Sequence, residues 1–458
     1  MKTFQKTFIY LICLFVLNAA IKGSEPYPVD SAMLKERLEW FQDLKFGLLG
    51  GLGIWSVRDG QGPWVLSNPS SLRVDDQVEF DYEAFRESYW NCIKVYYPYN
   101  FDENEWISIV KEAGARYFMP HIKHHDGFCT WDTKYSDFKI TSPDCPYSKH
   151  PNPDITARLY DACRKAGLGI AVYFSYSDWN CPYYWKPGVK MSDDTRINRH
   201  FNYDLEEEPE RLEKFNEFLH GQIDELTGNY GKVDILWLDG GWDKRHMDVN
   251  GMVEIAYKNQ PELIIVSRGG NIYEDYETPE NRVPEEPLGV PWETVMGMGS
   301  RSAKQLVHIL VDIVCKGGNF MLGGYWPGKD GRWEESVVAR LMEIGDWLEV
   351  NGEAIYETRM YSMTNFREGN ICYTKKGKYV YAIYIDERRD VDEISSLGNV
   401  LDIKHVKPLP DSKIHMLGVE ESLEWEATSD GVKVMIPKSI ILSPPSKFAY
   451  SFRIEVSE

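Results

Sequence analysis

Short apolar segments alternate with longer amphipathic segments between about residues 34 and 350. Each apolar segment is mostly aliphatic or aromatic and is bounded by glycine or polar residues, which is typical of β-strands. The segments read KFGLLGGLGIW, RYFMPHIKHH, LGIAVYFSY, VDILWLDG, ELIIVSRGG and NFMLGG. Because they are apolar almost throughout, they predict a parallel sheet that is buried on both faces.

The amphipathic segments predict helices between these strands. PERLEKFNEFLHGQIDELTG and SAKQLVHILVDIVCKGGN keep apolar residues at helical spacing and end at glycine. Repeated strand and helix units over about 300 residues favour a (β/α)8 barrel. An open doubly wound sheet is the alternative, although the chain has no glycine-rich dinucleotide fingerprint to support it.

The pattern changes after about residue 355. ICYTKKGKYVYAIYID, DGVKVMIP and FAYSFRIEV alternate with a period of two and are separated by turn residues. This alternation with frequent turns predicts an antiparallel β-sandwich. We therefore expect a catalytic barrel over residues 24–354 and a C-terminal sandwich over residues 355–458.

The first 23 residues have the layout of a secretory signal peptide: two lysines, an apolar run from Phe8 to Val16, and small residues near Gly23. The apolar run is too short to span a bilayer. A secreted or periplasmic protein with no membrane span after cleavage is expected, and a retained signal anchor is the alternative.

Composition narrows the function classes. Apolar residues make up 43% and charged residues 27% of the 458-residue chain, as in ordinary globular proteins. The net charge of -20 disfavours nucleic acid as a partner. The cysteines after the leader are odd in number and without CxxC spacing, so they indicate neither a disulfide framework nor a structural zinc site. They are Cys92, Cys129, Cys145, Cys163, Cys181, Cys315 and Cys372.

Barrel enzymes build their sites at the C-terminal ends of strands. In VDILWLDGGWD, Ile235, Trp237 and Asp239 share one face of the predicted strand. An aspartate that ends an inward row above a tryptophan is well placed to meet a ligand, whereas a turn or a helix cap is the structural alternative.

A second strand end carries Arg268, which could bind a substrate hydroxyl or brace the barrel rim through a salt bridge. The loop after it is rich in carboxylates. A glutamate there positioned against Asp239 would complete the pair that retaining glycoside hydrolysis needs. The candidates are Glu277, Glu280, Glu285, Glu286 and Glu293.

The segment IKHHDGFCTW places His124 and His125 at the end of an apolar run. Neutral imidazoles suit hydrogen bonding to a polyhydroxylated ligand, since each offers one donor and one acceptor. Metal ligation is the alternative, although adjacent histidines seldom bind one tetrahedral ion and no HExxH motif is present. We expect no metal and no cofactor.

Together these motifs resemble the α-L-fucosidases of glycoside hydrolase family 29. The resemblance rests on KHHDGFCTWDTKYSDF and WLDG, and extends through ENEWISIVKEAGA, LVDIVCKGGN and RLMEIGDWLEVNGEAIYETR. It implies a (β/α)8-like barrel with a C-terminal β-sandwich. It also implies hydrolysis of terminal α-L-fucosides with retention, through a covalent glycosyl-aspartate, so a fucosylated oligosaccharide or glycan is the expected partner.

The resemblance assigns roles to individual residues. Asp239 matches the nucleophile, and Glu280, twelve residues after Arg268, matches the acid/base, with Glu286 and Glu293 in reserve. The substrate-binding positions are matched by His124, His125, Trp237, Arg268, Trp64 and Tyr173.

Other positions depart from the family pattern. FGLLGGLG places Gly51 where the family usually has a fucose-contacting histidine, and GPW places Pro63 where it has a glutamate. Gly323 stands at an expected asparagine, and SRSA replaces an SWGY-like element. The lost contacts suggest a variant glycon or a compensating aglycon, with Tyr325 and Trp326 as sources of new contacts.

The leading hypothesis is an exported retaining exo-glycosidase that cleaves terminal α-L-fucosides or a closely related glycon. The alternatives are a family member with changed glycon specificity, a carbohydrate-binding protein that no longer catalyses, and a metal-dependent barrel hydrolase. The sequence gives no oligomeric state.

Overall fold

The computed structural model describes residues 30–58, 62–68, 81–192, 197–243, 245–268, 274–324, 327–386 and 397–457. The predicted leader, together with Tyr325 and Trp326, lies outside the described residues. Within them, no helix combines the length and the apolar character that crossing a membrane requires.

Seven parallel strands form one sheet in the spatial order β5-β4-β3-β2-β1-β7-β6. The strands are β1 (Phe46–Gly50), β2 (Tyr117–Lys123), β3 (Gly169–Ser175), β4 (Ile235–Asp239), β5 (Ile264–Val266), β6 (Glu293–Gly297) and β7 (Asn319–Gly323). The six predicted apolar segments supply six of these strands, and the seventh, β6, lies in the carboxylate-rich region. The predicted barrel-type fold class is confirmed.

The eighth place in the barrel is taken by an irregular segment between β5 and β6. The Asp275 amide donates to the Ile265 carbonyl at 3.0 Å, and the Asn281 amide donates to the Val295 carbonyl at 2.9 Å. Isolated parallel bridges join Glu277 to Trp292 and Glu280 to Val295. Residues 275–281 therefore connect the two sheet edges and carry Glu280 into the barrel wall.

Helices alternate with the strands. They are α1 (Ser31–Leu44), α2 (Tyr82–Trp90), α3 (Glu103–Glu112), α4 (Ile155–Ala166), α5 (Pro209–Gly228), α6 (Val249–Asn259), α7 (Ala303–Cys315) and α8 (Glu335–Asn351). Side chains of Asp102 and Asp154 cap α3 and α4, and Ser302 with Gln305 forms a capping box on α7. Ser302 of the SRSA element thus begins a helix.

The strands bury both faces, as their near-continuous apolarity predicts. Leu49, Met119, Tyr173, Trp237 and Met321 pack together inside the barrel. The alternate residues of the same strands join the larger core under the helices. Of the inward-facing polar side chains, those at the upper, C-terminal ends of the strands are therefore the ones placed to meet a ligand.

The C-terminal region consists of antiparallel sheets, as predicted. Its strands are β8 (Arg359–Met360), β9 (Arg367–Glu368), β10 (Ile371–Lys376), β11 (Tyr379–Ile385), β12 (Val400–Lys404), β13 (His415–Met416), β14 (Trp425–Ala427), β15 (Gly431–Met435) and β16 (Ala449–Glu455), with a short helix α9 (Lys438–Leu442) before β16. One sheet has the order β13-β16-β11-β10-β8 with β9 beside β10, and the other has the order β12-β15-β14. The exact boundary at residue 355 stays a prediction.

Candidate active site

A cavity of about 550 Å³ opens at the C-terminal ends of the barrel strands. Every predicted site residue lines it except His125, which lies behind the wall. The lining residues are Leu49, Trp64, His121, His124, Tyr173, Arg199, Trp237, Asp239, Gly240, Gly241, Trp242, Arg268, Glu280, Asn281, Val295, Gly297 and Gly324. One concave site thus gathers residues that are far apart in the sequence.

Asp239 is the last residue of β4, and its carboxylate is held from two sides. The Tyr173 hydroxyl donates to Oδ2 at 2.6 Å, and Arg268 Nη1 donates to Oδ1 at 2.7 Å. Burial alone would raise the pKa of Asp239, but the His125 ring, the Arg268 guanidinium and the Tyr173 hydroxyl lower it by more. The net result is a pKa below the ordinary value, so this nearly buried carboxylate is ionised.

Arg268 joins the two carboxylates of the site. While Nη1 binds Asp239, Nη2 forms an ion pair with Glu280, and the guanidinium lies 4.7 Å from the centre of the Trp237 ring. Arg268 has a backbone φ of 41°, a left-handed conformation that costs free energy in a non-glycine residue. The ion pairs of Arg268 with the two carboxylates and its contact with the Trp237 ring stabilise this backbone conformation. Arg268 therefore belongs to the site rather than only to the rim.

The other loop glutamates lie elsewhere. Glu293 is buried inside the barrel, where the hydroxyls of Tyr117 and Tyr276 donate to it at 2.5 and 3.4 Å, and burial raises its pKa to about 7. Glu286 lines a neighbouring cavity that shares Arg268 with the first. Among the described glutamates, only Glu280 lines the cavity with Asp239.

The HHD segment does not converge on one point. The His125 amide donates to His124 Nδ1 at 2.8 Å, and His125 Nε2 lies 3.6 Å from Asp239 Oδ2. Asp126 turns away and accepts from the Tyr89 hydroxyl at 3.0 Å. Burial lowers the pKa of His125 to about 4 and that of His124 well below its usual value, so both rings are neutral near pH 7. This geometry suits hydrogen bonding to a ligand better than metal ligation.

An aromatic wall forms one side of the cavity. Trp64 is partly exposed at the rim, with its ring centre 5.2 Å from that of His125 and 5.7 Å from that of Trp242. Arg199 lies 5.0 Å from the Trp64 ring. Tryptophan faces with a cation at the rim provide apolar and polar contacts side by side, which suits the two faces of a sugar ring.

Among the lining residues that were not sequence candidates, His121, Arg199 and Trp242 carry an aromatic ring or a charge. Trp242 follows Asp239 by three residues and could have been included on that proximity. His121 lies on the inner face of β2, directly across from Tyr173 on β3, which requires the strand register. Arg199 comes from a loop whose sequence pattern carries no corresponding signal.

Three of the four departures from the family pattern, at Gly51, Pro63 and Gly323, do not line the cavity. Pro63 is buried and begins the 3-10 turn that carries Trp64. Gly323 ends β7, where an added Cβ would lie 3.0 Å from Leu49. Gly51 follows β1, where an added Cβ would lie 2.5 Å from the Cβ of His121. These three residues therefore act on the cavity through the lining residues that they contact or carry.

Comparison with known proteins identifies the family. The family model for the α-L-fucosidase domain matches residues 14–353, and that for the α-L-fucosidase C-terminal domain matches residues 364–455. The α-L-fucosidase of Dictyostelium discoideum is 27% identical, with 98% of this chain and 99% of that protein aligned.

Solved structures show the same architecture. The Thermotoga maritima α-fucosidase in complex with fucose aligns with a TM-score of 0.70 at 25% identity, covering 93% of this chain and 100% of that chain. The α-L-fucosidase isoenzyme 1 of Paenibacillus thiaminolyticus shares the fold with a TM-score of 0.73 at 24% identity, again covering 93% and 100%.

A parallel barrel with a carboxylate-lined, aromatic-walled cavity at its C-terminal end, followed by antiparallel sheets, defines a glycoside hydrolase. The chain belongs to the α-L-fucosidase family, glycoside hydrolase family 29, and fucosides are its class of substrate. The resemblance inferred from KHHDGF and WLDG is confirmed.

Proposed function

We propose that the protein is a retaining exo-α-L-fucosidase that uses Asp239 as nucleophile and Glu280 as acid/base. The observation that carries this proposal is the Arg268 guanidinium bound to both carboxylates at the strand ends. Two carboxylates on one guanidinium are close enough to act on the same glycosidic bond, and retention requires a separation of about 5 to 5.5 Å.

In the first step, a carboxylate oxygen of Asp239 forms a bond to the anomeric carbon while the bond to the leaving oxygen breaks. Protonated Glu280 gives its proton to that oxygen, and the product alcohol leaves. In the second step, Glu280 takes a proton from water, whose oxygen attacks the anomeric carbon and releases Asp239. Ionised Asp239 suits the first role because a nucleophile must enter the reaction deprotonated.

The closed floor of the cavity supports cleavage of terminal residues only. Tyr173 and Trp237 are buried and stack at 5.5 Å below the carboxylates, so the chain of a glycan can leave only through the open mouth. The neutral His124 ring and the charged Arg268 guanidinium can bind glycon hydroxyls, and the exposed Trp64 can cover an apolar sugar face. The fucose bound by the Thermotoga maritima relative is consistent with a single deoxy-sugar in this place.

The family departures bear on which fucosides are cleaved. Gly51, Pro63 and Gly323 remove side chains that the family pattern supplies, and each lost hydrogen bond to a substrate hydroxyl costs about 1 to 3 kcal/mol. We expect activity on terminal α-L-fucosides or a closely related glycon, with aglycon contacts offsetting part of that cost.

Azide rescue tests the two roles separately. With an aryl α-L-fucoside that has a good leaving group, Asp239→Gly should use azide in place of the missing carboxylate and form β-L-fucosyl azide. Glu280→Gly should still form the ester on Asp239, so that azide displaces it and gives α-L-fucosyl azide. Opposite anomers from the two variants support the assignment, whereas the same anomer from both overturns it.

Wild type is assayed beside the variants on aryl α-L-fucoside, α-galactoside and β-galactoside. Turnover of the fucoside with α-L-fucose as the first product, followed by NMR, supports retention. Hydrolysis of another glycon alone would mean changed specificity, and binding without turnover of any of them would mean a protein that only binds carbohydrate.

Export is proposed on the signal-peptide layout of residues 1–23. Expression of the full chain in a bacterium with a periplasm should give a mature protein that begins near residue 24. Recovery of the intact chain from the cytoplasm would contradict export.

A further inference from the structure

His121 continues the row of rings that forms the floor of the cavity. In the strand register, His121 on β2 lies opposite Tyr173 on β3, and Tyr173 lies opposite Trp237 on β4. The ring centres are 4.4 Å apart for His121 and Tyr173 and 5.5 Å apart for Tyr173 and Trp237. His121 therefore occupies the same layer of the barrel as two residues that floor the proposed glycon site.

The position of β2 at His121 depends on Gly51. An added Cβ on Gly51 would lie 2.5 Å from the Cβ of His121 and 2.6 Å from its backbone nitrogen. Real Cβ atoms essentially never approach other atoms so closely, so with any other residue at position 51 the backbone there or at His121 would have to shift. Gly51 and His121 form one structural unit in this chain.

The imidazole is suited to recognise a hydroxyl group. Burial lowers the pKa of His121 to about 3, with Asp239 opposing the effect and His125 adding to it. The ring is therefore neutral near pH 7, and a neutral imidazole has one donor and one acceptor nitrogen. His121 also lines the cavity although only 5% of its surface is exposed.

We propose that His121 is a glycon-binding residue of this protein, and that Gly51 lets β2 pack closely enough to hold it at the cavity floor. The proposal extends the proposed function, on which it rests, because the sugar ring that His121 contacts is the one whose anomeric carbon meets Asp239. Gly51 and His121 together place a group that can hydrogen-bond to a hydroxyl at the cavity floor beside Tyr173. This group determines which glycon is accepted.

His121→Phe tests the role because it keeps an aromatic ring against Tyr173 and removes both nitrogens. We expect kcat/KM on aryl α-L-fucoside to fall about 10- to 100-fold, with the melting temperature nearly unchanged. His121→Asn, which restores a donor and an acceptor, should recover part of the activity. Met119→Leu is the matched control: Met119 is on the inner face of the same strand but does not line the cavity, so its activity should stay at the wild-type level.

Deoxy substrates separate recognition from a general disturbance. Wild type and His121→Phe are compared on aryl fucosides that lack the 2-, 3- or 4-hydroxyl. The penalty of the substitution should disappear on the one analogue that lacks the hydroxyl His121 binds. An equal penalty on every analogue, or no penalty on the parent fucoside, overturns the role of His121 while the proposed function stands.

Gly51→Ala tests the coupling. If it folds, it should show the glycon profile of His121→Phe, and adding it to His121→Phe should cost little further activity. A normal glycon profile in Gly51→Ala contradicts the coupling. If the variant does not fold, His121→Phe and the deoxy series decide. Absence of wild-type turnover on any fucoside would instead overturn the proposed function, and the role of His121 with it.

Discussion

At the scale of single residues, the site holds ionised and neutral side chains close together. Asp239 is ionised because Arg268 and Tyr173 stabilise its carboxylate against the effect of burial. His121 and His125 are neutral because burial dominates for them. A carboxylate, a permanent cation and neutral hydrogen-bonding rings together can hold a neutral sugar while one carboxylate attacks it.

Tyr173→Phe removes the hydroxyl that donates to Asp239 Oδ2 at 2.6 Å. Losing this bond raises the pKa of Asp239, so the acidic limb of the kcat/KM profile should move to higher pH. The value of kcat/KM at the optimum should fall about tenfold. Tyr160→Phe on α4, which removes the same atom from a buried tyrosine outside the cavity, should leave the profile unchanged. An unchanged acidic limb in Tyr173→Phe would contradict the stated role of the hydroxyl.

The sequence predicts the site residues that end strands. It does not predict those that reach the cavity only because of how the strands are aligned in the sheet. Asp239, Arg268 and His124 could be predicted because each closes an apolar run. Glu280 could not be chosen from the residues alone, since its position depends on the segment that bridges β5 and β6. His121 was missed because it lies within an apolar run, and only its pairing with Tyr173 shows that it reaches the cavity.

At the scale of elements, the end of β2 is fixed by a buried cation on the helix side. Lys123 Nζ donates to Gln222 on α5 at 2.8 Å and pairs with Asp178 after β3 at 3.4 Å. Both partners of the ion pair are almost fully buried. Because His124 follows Lys123 directly, the ion pair between Lys123 and Asp178 helps to position His124 at the cavity.

Lys123→Met should destabilise the protein by about 3 to 5 kcal/mol, since it leaves the Asp178 carboxylate buried without its cation. Urea unfolding followed by fluorescence measures the effect. The double variant Lys123→Met/Asp178→Asn should regain part of the loss. Lys165→Met, which breaks an exposed pair with Asp161 on α4, is the control and should leave the free energy of unfolding nearly unchanged. Equal costs for the two lysine substitutions would contradict the account.

The barrel includes parts that the hydrophobic pattern of the sequence predicts and one part that it does not. The six apolar runs became strands in the expected places because each is long, apolar and bounded by turn residues. The segment 275–281 contains four charged or proline residues and pairs through isolated bridges only, so no periodicity marks it as part of the wall. Its position follows from the need to join the edges of β5 and β6.

At the scale of the whole molecule, one face of the C-terminal sheets packs into the core of the barrel helices, while the rest forms a cluster of its own. Cys372, Tyr381, Ile383 and Ala449 belong to the same apolar cluster as the barrel helices. Trp347 on α8 donates from Nε1 to the Ala449 carbonyl at 2.9 Å. The interior also holds carboxyl groups with a raised pKa, about 7 for both Asp126 and Glu293, and these link the stability of the whole fold to pH.

The contribution of Glu293 to stability should fall as pH rises from about 4.5 through 7. The folded protein holds the Glu293 proton more tightly than the unfolded chain does, so the stabilisation is complete below pH 4.5 and is lost as pH passes the folded pKa of about 7. Glu293→Gln should therefore be more stable than wild type at pH 8, by about 1 to 3 kcal/mol, and no more stable at pH 4.5.

Urea titrations at several pH values measure this dependence, with the exposed Glu217→Gln on α5 as the control. Asp126 keeps a similar dependence of its own and the buried histidines have the opposite one, so the difference between the Glu293→Gln and wild-type curves isolates the contribution of Glu293. Parallel stability curves for wild type and Glu293→Gln would contradict a protonated Glu293.

The central claim, that Asp239 forms a covalent bond to the sugar, is tested most directly by trapping that bond. Wild type is incubated with 2-deoxy-2-fluoro-α-L-fucosyl fluoride, and the protein is then analysed by intact mass and peptide mapping. The 2-fluorine slows both steps, while the fluoride leaving group keeps the first step fast, so that the covalent intermediate accumulates. We predict one deoxyfluorofucosyl group per chain, on the peptide that contains Asp239, with loss of activity in proportion to labelling. A label on another residue, or steady turnover of fucoside by a protein in which Asp239 is replaced by alanine, would contradict the account.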